Sequence, residues 1–86
     1  MVELSYLVTD EAGIHARPAG RIVKKAQGMK SEITLTKGEK TVSLKKLFAL
    51  MGLAVKKGET VLLKFDGEDE ELAAAEIKKA MESEGL

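Results

Sequence analysis

His15 is the one histidine among 86 residues, and it stands in the run Gly13-Ile14-His15-Ala16-Arg17-Pro18. Imidazole is a nucleophile near neutral pH, because its ordinary pKa of about 6.5 leaves much of it uncharged. Arg17 adds a permanent cation whose planar fork of donors suits phosphate oxygens. Pro18 favours a first helical turn, where its missing N–H has no intrahelical partner to lose and its φ is already helical. Gly13 lets the backbone bend just before. The segment therefore reads as a nucleophile at the start of a helix, with Ala16, Arg17 and Pro18 forming a helix N-terminus whose free amides and positive dipole end favour an anion. A phosphoryl group fits that description.

The composition narrows the alternatives. Eighty-six residues support one domain, spanning 1–86, with one modest core. Lysine plus arginine equals aspartate plus glutamate at 14 each, so no excess positive charge is available to hold nucleic acid by counterion release. No apolar run approaches the roughly 18 residues of a membrane span. The start, Met1-Val2-Glu3-Leu4, lacks the basic opening and long apolar stretch of a signal peptide. A cytoplasmic protein with no membrane insertion is the expectation. Without cysteine there are no disulfides or thiolate metal sites, and one histidine cannot supply the imidazoles of a typical zinc site. Neither a metal nor a cofactor is expected. The chain also lacks asparagine and is one-third charged, mostly lysine and glutamate, a bias of thermophile proteins.

The elements that position His15 follow from periodicity. Val2, Leu4, Tyr6 and Val8 alternate, which predicts a first strand over 2–8 with one buried face. Ala19, Ile22, Val23 and Ala26 recur at helical spacing while Arg21, Lys24 and Lys25 fall outside that stripe, so a first helix runs to about Gln27 with Gly28 as its cap. Ile33 and Leu35 alternate with polar neighbours, and Lys37-Gly38-Glu39 turns the chain into a short strand over 40–42, which together make a hairpin. Residues 44–55 predict a second helix. Its apolar residues fill two adjoining stripes, Leu44, Phe48 and Met51 on one and Leu47, Leu50 and Ala54 on the other, so one can face the core and leave the other at the surface. Thr60–Phe65 reads as an apolar, central strand. The last helix takes Asp69 as N-cap, Glu70 and Glu71 in its first turn, Lys78 and Lys79 late, and a core stripe of Leu72, Ala73, Ile77, Ala80 and Met81. The order βαββαβα makes an α+β, two-layer open-faced sandwich, a four-stranded antiparallel sheet with three helices on one face.

These residues resemble the HPr family, the histidine-containing phosphocarriers of the bacterial sugar phosphotransferase system. The likeness rests on Gly13-Ile14-His15-Ala16-Arg17-Pro18-Ala19, the Ser31-Glu32-Ile33-Thr34 strand, the Leu47-Phe48 helix, Gly58 after it and the acidic-to-basic last helix. It covers essentially the whole chain. It implies that His15 accepts phosphate on Nδ1 from phosphorylated enzyme I, with phosphoenolpyruvate as ultimate donor, and gives it to sugar-specific EIIA proteins. It also implies that Leu47, Phe48 and Met51 lie beside the histidine as the apolar contact for those partners. Arg21 and Lys24 would then form a basic fringe toward acidic partner surfaces. Such a protein is a monomeric phosphorylated co-substrate more than a stand-alone enzyme.

One departure bears on control. Many relatives in low-GC Gram-positive bacteria carry a kinase-targeted serine where this chain has Lys46. Lysine cannot be so modified, so no regulatory serine is expected there, and Ser43 reads as a strand-end or N-cap residue. Two other functions remain in view from the sequence: an HPr-like carrier in a regulatory, nitrogen-related phosphotransferase cascade, and a small ligand-binding or interaction module in which His15 is incidental.

Overall fold

The computed structural model describes residues 1–86, with seven elements in chain order. These are β1 (Val2–Leu7), α1 (Ala16–Gln27), β2 (Glu32–Lys37), β3 (Lys40–Ser43), α2 (Leu47–Gly52), β4 (Thr60–Asp66) and α3 (Glu70–Ser83). The strands form one antiparallel sheet in the order β1-β4-β2-β3. β4 is an interior strand, as its apolar run predicts. Register places Leu4, Leu63, Leu35 and Val42 side by side in one row, with Val2, Phe65 and Ile33 in the next. Such cross-strand neighbours on the helix-covered face are where sheet stability is concentrated. Along β4 the alternation is complete: Val61, Leu63 and Phe65 are fully buried, while Leu62 and Lys64 turn to the open face.

The helices cover the other face. α1 buries Pro18, Ala19, Ile22, Val23 and Ala26 and packs between α2 and α3. α3 lies over β1 and β4, inserting Ala73, Ile77 and Met81, which recur every fourth residue. The core is continuous from Val8 through Phe65 to Leu86.

Four expectations need correction. The second helix occupies only Leu47–Gly52, not 44–55. Leu44 instead sits just past β3, donating its N–H to the Ile33 carbonyl at 2.8 Å, and Ala54 adopts φ +52, a left-handed backbone that stops the helix. The two-stripe division fails with it. Leu44 and Leu50 are buried, Leu47 and Met51 are half-buried, Ala54 is exposed and Phe48 is 89% exposed. Leu72 leaves the predicted core stripe of α3 and is 59% exposed, since it lies one helical step from the Ala73 row that meets the sheet. Lys78 and Lys79 fall short of the last turn, because α3 continues to Ser83.

Asp69 does stand at the N-cap of α3, yet its carboxylate caps a different segment. It accepts the N–H groups of Lys30 and Ser31 at 2.8 Å each and the Ser31 hydroxyl, so the α1–β2 connection is tied to the start of α3. Gly67 makes this approach possible. A Cβ there would lie 2.6 Å from the Ser31 Cα. The Ser31 hydroxyl, followed by the Lys30 N–H, holds the Asp69 carboxyl down from 3.8 to about 2.

Candidate functional site

The loop that carries His15 is fixed from both sides. Asp10 closes a short turn, accepting the Ala12 N–H on Oδ1 at 2.9 Å and the Gly13 N–H on its carbonyl at 2.8 Å. Gly13 adopts φ +67, and a Cβ on it would lie 2.1 Å from the Val55 carbonyl oxygen and 2.8 Å from the Lys56 Cα. Only glycine allows this approach, which lets Ile14 donate its N–H to that same Val55 carbonyl at 3.0 Å. Ile14 itself is buried. His15 follows as the N-cap of α1 in extended conformation, φ −117° and ψ 174°, with its side chain not engaged in capping.

The imidazole is half-exposed. Its Nε2 lies 3.2 Å from Oδ2 of Asp10, and its Nδ1 has no partner within the chain. The Ala12 N–H, and then the His15 ring, hold the Asp10 carboxyl below its ordinary range. The amide N–H groups of Ala16 and Arg17 donate to no other group of the protein, and the first intrahelical bond runs from the Ala19 N–H to the His15 carbonyl at 2.9 Å. Pro18 has no N–H to offer and instead fixes φ in this turn. The first turn itself holds no acidic residue to offset the positive end of the α1 dipole. Arg17 is exposed and makes no ion pair. A bare ring nitrogen, two free amides and a free guanidinium thus share one end of one helix, an arrangement that can receive a phosphoryl group. None of the molecule's three surface hollows includes His15. The site lies on an open face, with no cleft to hold a small substrate.

α2 is laid along α1 by contacts at both ends. Gln27 Nε2 donates to the Lys45 carbonyl at 2.9 Å and Lys45 Nζ to the Met29 carbonyl at 2.8 Å, joining the end of α1 to the approach of α2. The Ile14–Val55 bond joins the start of α1 to the segment after α2. The two helices therefore run side by side in opposite senses, and the exposed Phe48 with half-buried Leu47 and Met51 forms an apolar patch on the helix adjoining the one that begins at His15. Of the basic residues, Lys24 is exposed, whereas Arg21 is paired with Glu84 of α3 at 2.9 Å. Lys46 occupies the exposed N-cap of α2, and the Ser43 hydroxyl accepts the Lys45 N–H at the end of β3.

Asp10 is the residue of this site that the motif around His15 does not point to. The signal was present in Asp10-Glu11-Ala12-Gly13, a spacing that favours an Asx turn, but its pairing with His15 depends on where Gly13 docks.

The family model for the PTS HPr component phosphorylation site matches residues 2–83. The chain is 42% identical over 83 residues to the phosphocarrier protein HPr of Borreliella burgdorferi, covering 96% of each protein. Among solved structures it is similar to a mycoplasma histidine-containing phosphocarrier protein, with a TM-score of 0.97 and 35% identity over 99% of this chain and 97% of that one. It is also similar to an HPr dimer from Thermoanaerobacter tengcongensis, with a TM-score of 0.78 and 34% identity over 100% of this chain and 99% of that one. Together with the histidine at the head of α1 and the βαββαβα sandwich, these likenesses place the chain in the HPr family, the phosphocarriers of the phosphotransferase system.

Proposed function

We propose that His15 accepts a phosphoryl group on Nδ1 from phosphorylated enzyme I, with phosphoenolpyruvate as the ultimate source, and passes it to EIIA proteins during sugar uptake. The observation that carries this reading is the unpartnered Nδ1 at the head of α1, beside the free N–H groups of Ala16 and Arg17. Those donors supply partial positive charge to the phosphoryl oxygens without enclosing them, so the adduct is stabilised and remains transferable. Arg17 balances charge as the oxygens pass between partners. Phosphoryl transfer depends chiefly on positioning and electrostatics, so an open site serves when the partner supplies the remaining walls.

The patch of Leu47, Phe48 and Met51 is the apolar docking contact in this reading, with Lys24 and Arg21 at its basic margin. Engaging Arg21 requires its exchange from Glu84 to the partner, an exposed pair of small cost. The carrier acts as a cytoplasmic monomer. Lys46 leaves no serine for a kinase at the head of α2, so His15 is the phosphorylation site. Incubation with phosphoenolpyruvate and enzyme I tests the reading: the expected product is an acid-labile, base-stable phosphate on the wild type that His15→Ala lacks. Equal labelling of the two proteins would overturn it. The EIIA protein recovered with the phosphorylated chain separates sugar uptake from the regulatory branch.

A further inference from the structure

We propose that Asp10 is a positioning residue for phosphoryl transfer: its carboxylate fixes the His15 ring with Nε2 protonated and Nδ1 bare, and faces the positive charge the ring gains on phosphorylation. This inference rests on the reading of His15 as acceptor. Its basis is the division of labour between the two oxygens of one carboxylate. Oδ1 is occupied by the Ala12 N–H at 2.9 Å, which sets the orientation of the group, and Oδ2 is thereby presented to Nε2 at 3.2 Å. A carboxylate only accepts, so Nε2 is the protonated nitrogen in this pair and the lone pair stays on Nδ1. The Asp10 carbonyl also holds the Gly13 N–H, and Gly13 is wedged against Val55, so the carboxylate stands on a fixed turn.

The transfer balances without any proton leaving the ring. Nδ1 gives its lone pair to phosphorus, and the bond from phosphorus to the donor's leaving atom breaks with its electron pair. The ring keeps the Nε2 proton and becomes an imidazolium, one unit more positive, with Asp10 opposite that proton. In the onward step the Nδ1–phosphorus bond breaks, the pair returns to Nδ1 and the ring is neutral again. An Asp behind the distal nitrogen of a nucleophilic or basic histidine acts in this way elsewhere, by tautomer and by charge. The side chains of Asp10 and His15 are 27% and 42% exposed, so solvent weakens the pair without removing it.

Two substitutions separate the roles. In Asp10→Asn the carboxamide has one acceptor. If the Ala12 N–H takes it, the NH₂ group turns to Nε2 and stabilises the Nδ1–H tautomer, which cannot attack phosphorus. Asp10→Ser keeps an acceptor for the Ala12 N–H and with it the turn, but offers nothing to Nε2. The expected result is a rise in the Nδ1–H tautomer of Asp10→Asn by ¹⁵N NMR of the ring, with acceptance from phosphorylated enzyme I slowed roughly ten- to a hundredfold. That lies at or below the usual range for acid–base groups because both partners are partly exposed. Asp10→Ser should fall between this and wild type. Wild-type rate and tautomer in Asp10→Asn would overturn the proposal while leaving His15 as acceptor. Equal losses in both variants with unchanged ring signals would also overturn it, since they assign Asp10 to the loop alone. A wild-type protein that takes no phosphoryl group would remove both readings.

Discussion

Replacing Gly13 with alanine tests whether the loop that carries His15 is held by a contact that only glycine permits. Gly38 provides the comparison, since both residues have left-handed backbone, φ +67 and +59, but a Cβ on Gly38 meets nothing within 4 Å. Gly38→Ala therefore incurs the conformational cost alone, about 1–2 kcal/mol, which falls to about 0.5–1 kcal/mol net of the freedom that glycine has when unfolded. Gly13→Ala incurs that cost and meets two backbone atoms, the Val55 oxygen at 2.1 Å and the Lys56 Cα at 2.8 Å. Neither can rotate away as a side chain could, so the loop must retreat by on the order of 1 Å, a displacement whose strain is about 1–3 kcal/mol in a packed interior. The retreat also stretches the bond from Ile14 to the Val55 carbonyl, a contribution of about 1 kcal/mol.

The sum for Gly13→Ala is about 2.5–5 kcal/mol, against a total of roughly 4–13 kcal/mol for a chain of this length. At about 4–8 °C per kcal/mol for a small domain, the melting temperature should drop by roughly 10–40 °C. Urea unfolding followed by circular dichroism measures both variants, because the chain has no tryptophan to report by fluorescence. If Gly13→Ala lies within about 1 kcal/mol of Gly38→Ala, the wedge against Val55 is not what holds the loop, and the reasoning fails. Where Gly13→Ala is still folded at low temperature, it should also accept phosphate more slowly than Gly38→Ala.

Four further outcomes are expected. Ala54→Gly relieves the φ of +52 at the end of α2 and should stabilise the fold by about 0.5–1 kcal/mol, net of the freedom glycine gains when unfolded; a loss of stability in thermal melts would contradict this. The Asp69 carboxyl is depressed to about 2 in the folded state, so its stabilisation is complete above pH 3.8 and drains away as the pH falls toward 2; Asp69→Asn should flatten acid unfolding over that interval, and an unchanged acid limb would count against the Ser31–Asp69 tie. Phe48→Ser should leave the urea midpoint within the equivalent of about 0.5 kcal/mol, because the ring is 89% exposed, while weakening capture of phosphorylated enzyme I at low concentration several-fold. Incubation with a cognate HPr kinase should yield no stoichiometric phosphoserine, as Lys46 stands at the head of α2, and recovery of phosphoserine would reverse that expectation.

The sheet and α1 are legible because their burial is regular. β4 alternates and α1 repeats its apolar face, so local pattern and tertiary packing agree. α2 escapes the same reasoning. Leu44, Leu50, Leu53 and Val55 are all buried, yet only Leu50 belongs to the helix, and the others reach the core from irregular backbone on either side. A spacing rule assumes one regular element and assigns such residues to a longer helix. The site divides along the same line. His15, Arg17 and Pro18 are legible because a helix start is local chemistry. The Asp10–His15 pairing is not, because the turn that aims the carboxylate rests on the Val55 carbonyl, which reaches the loop only through the folded chain beyond α2. The helix start that carries His15 is thus a local property of seven residues, whereas the carboxylate its ring faces belongs to the tertiary structure, and a substitution at Gly13 or near Val55 should alter that pairing without touching the ring.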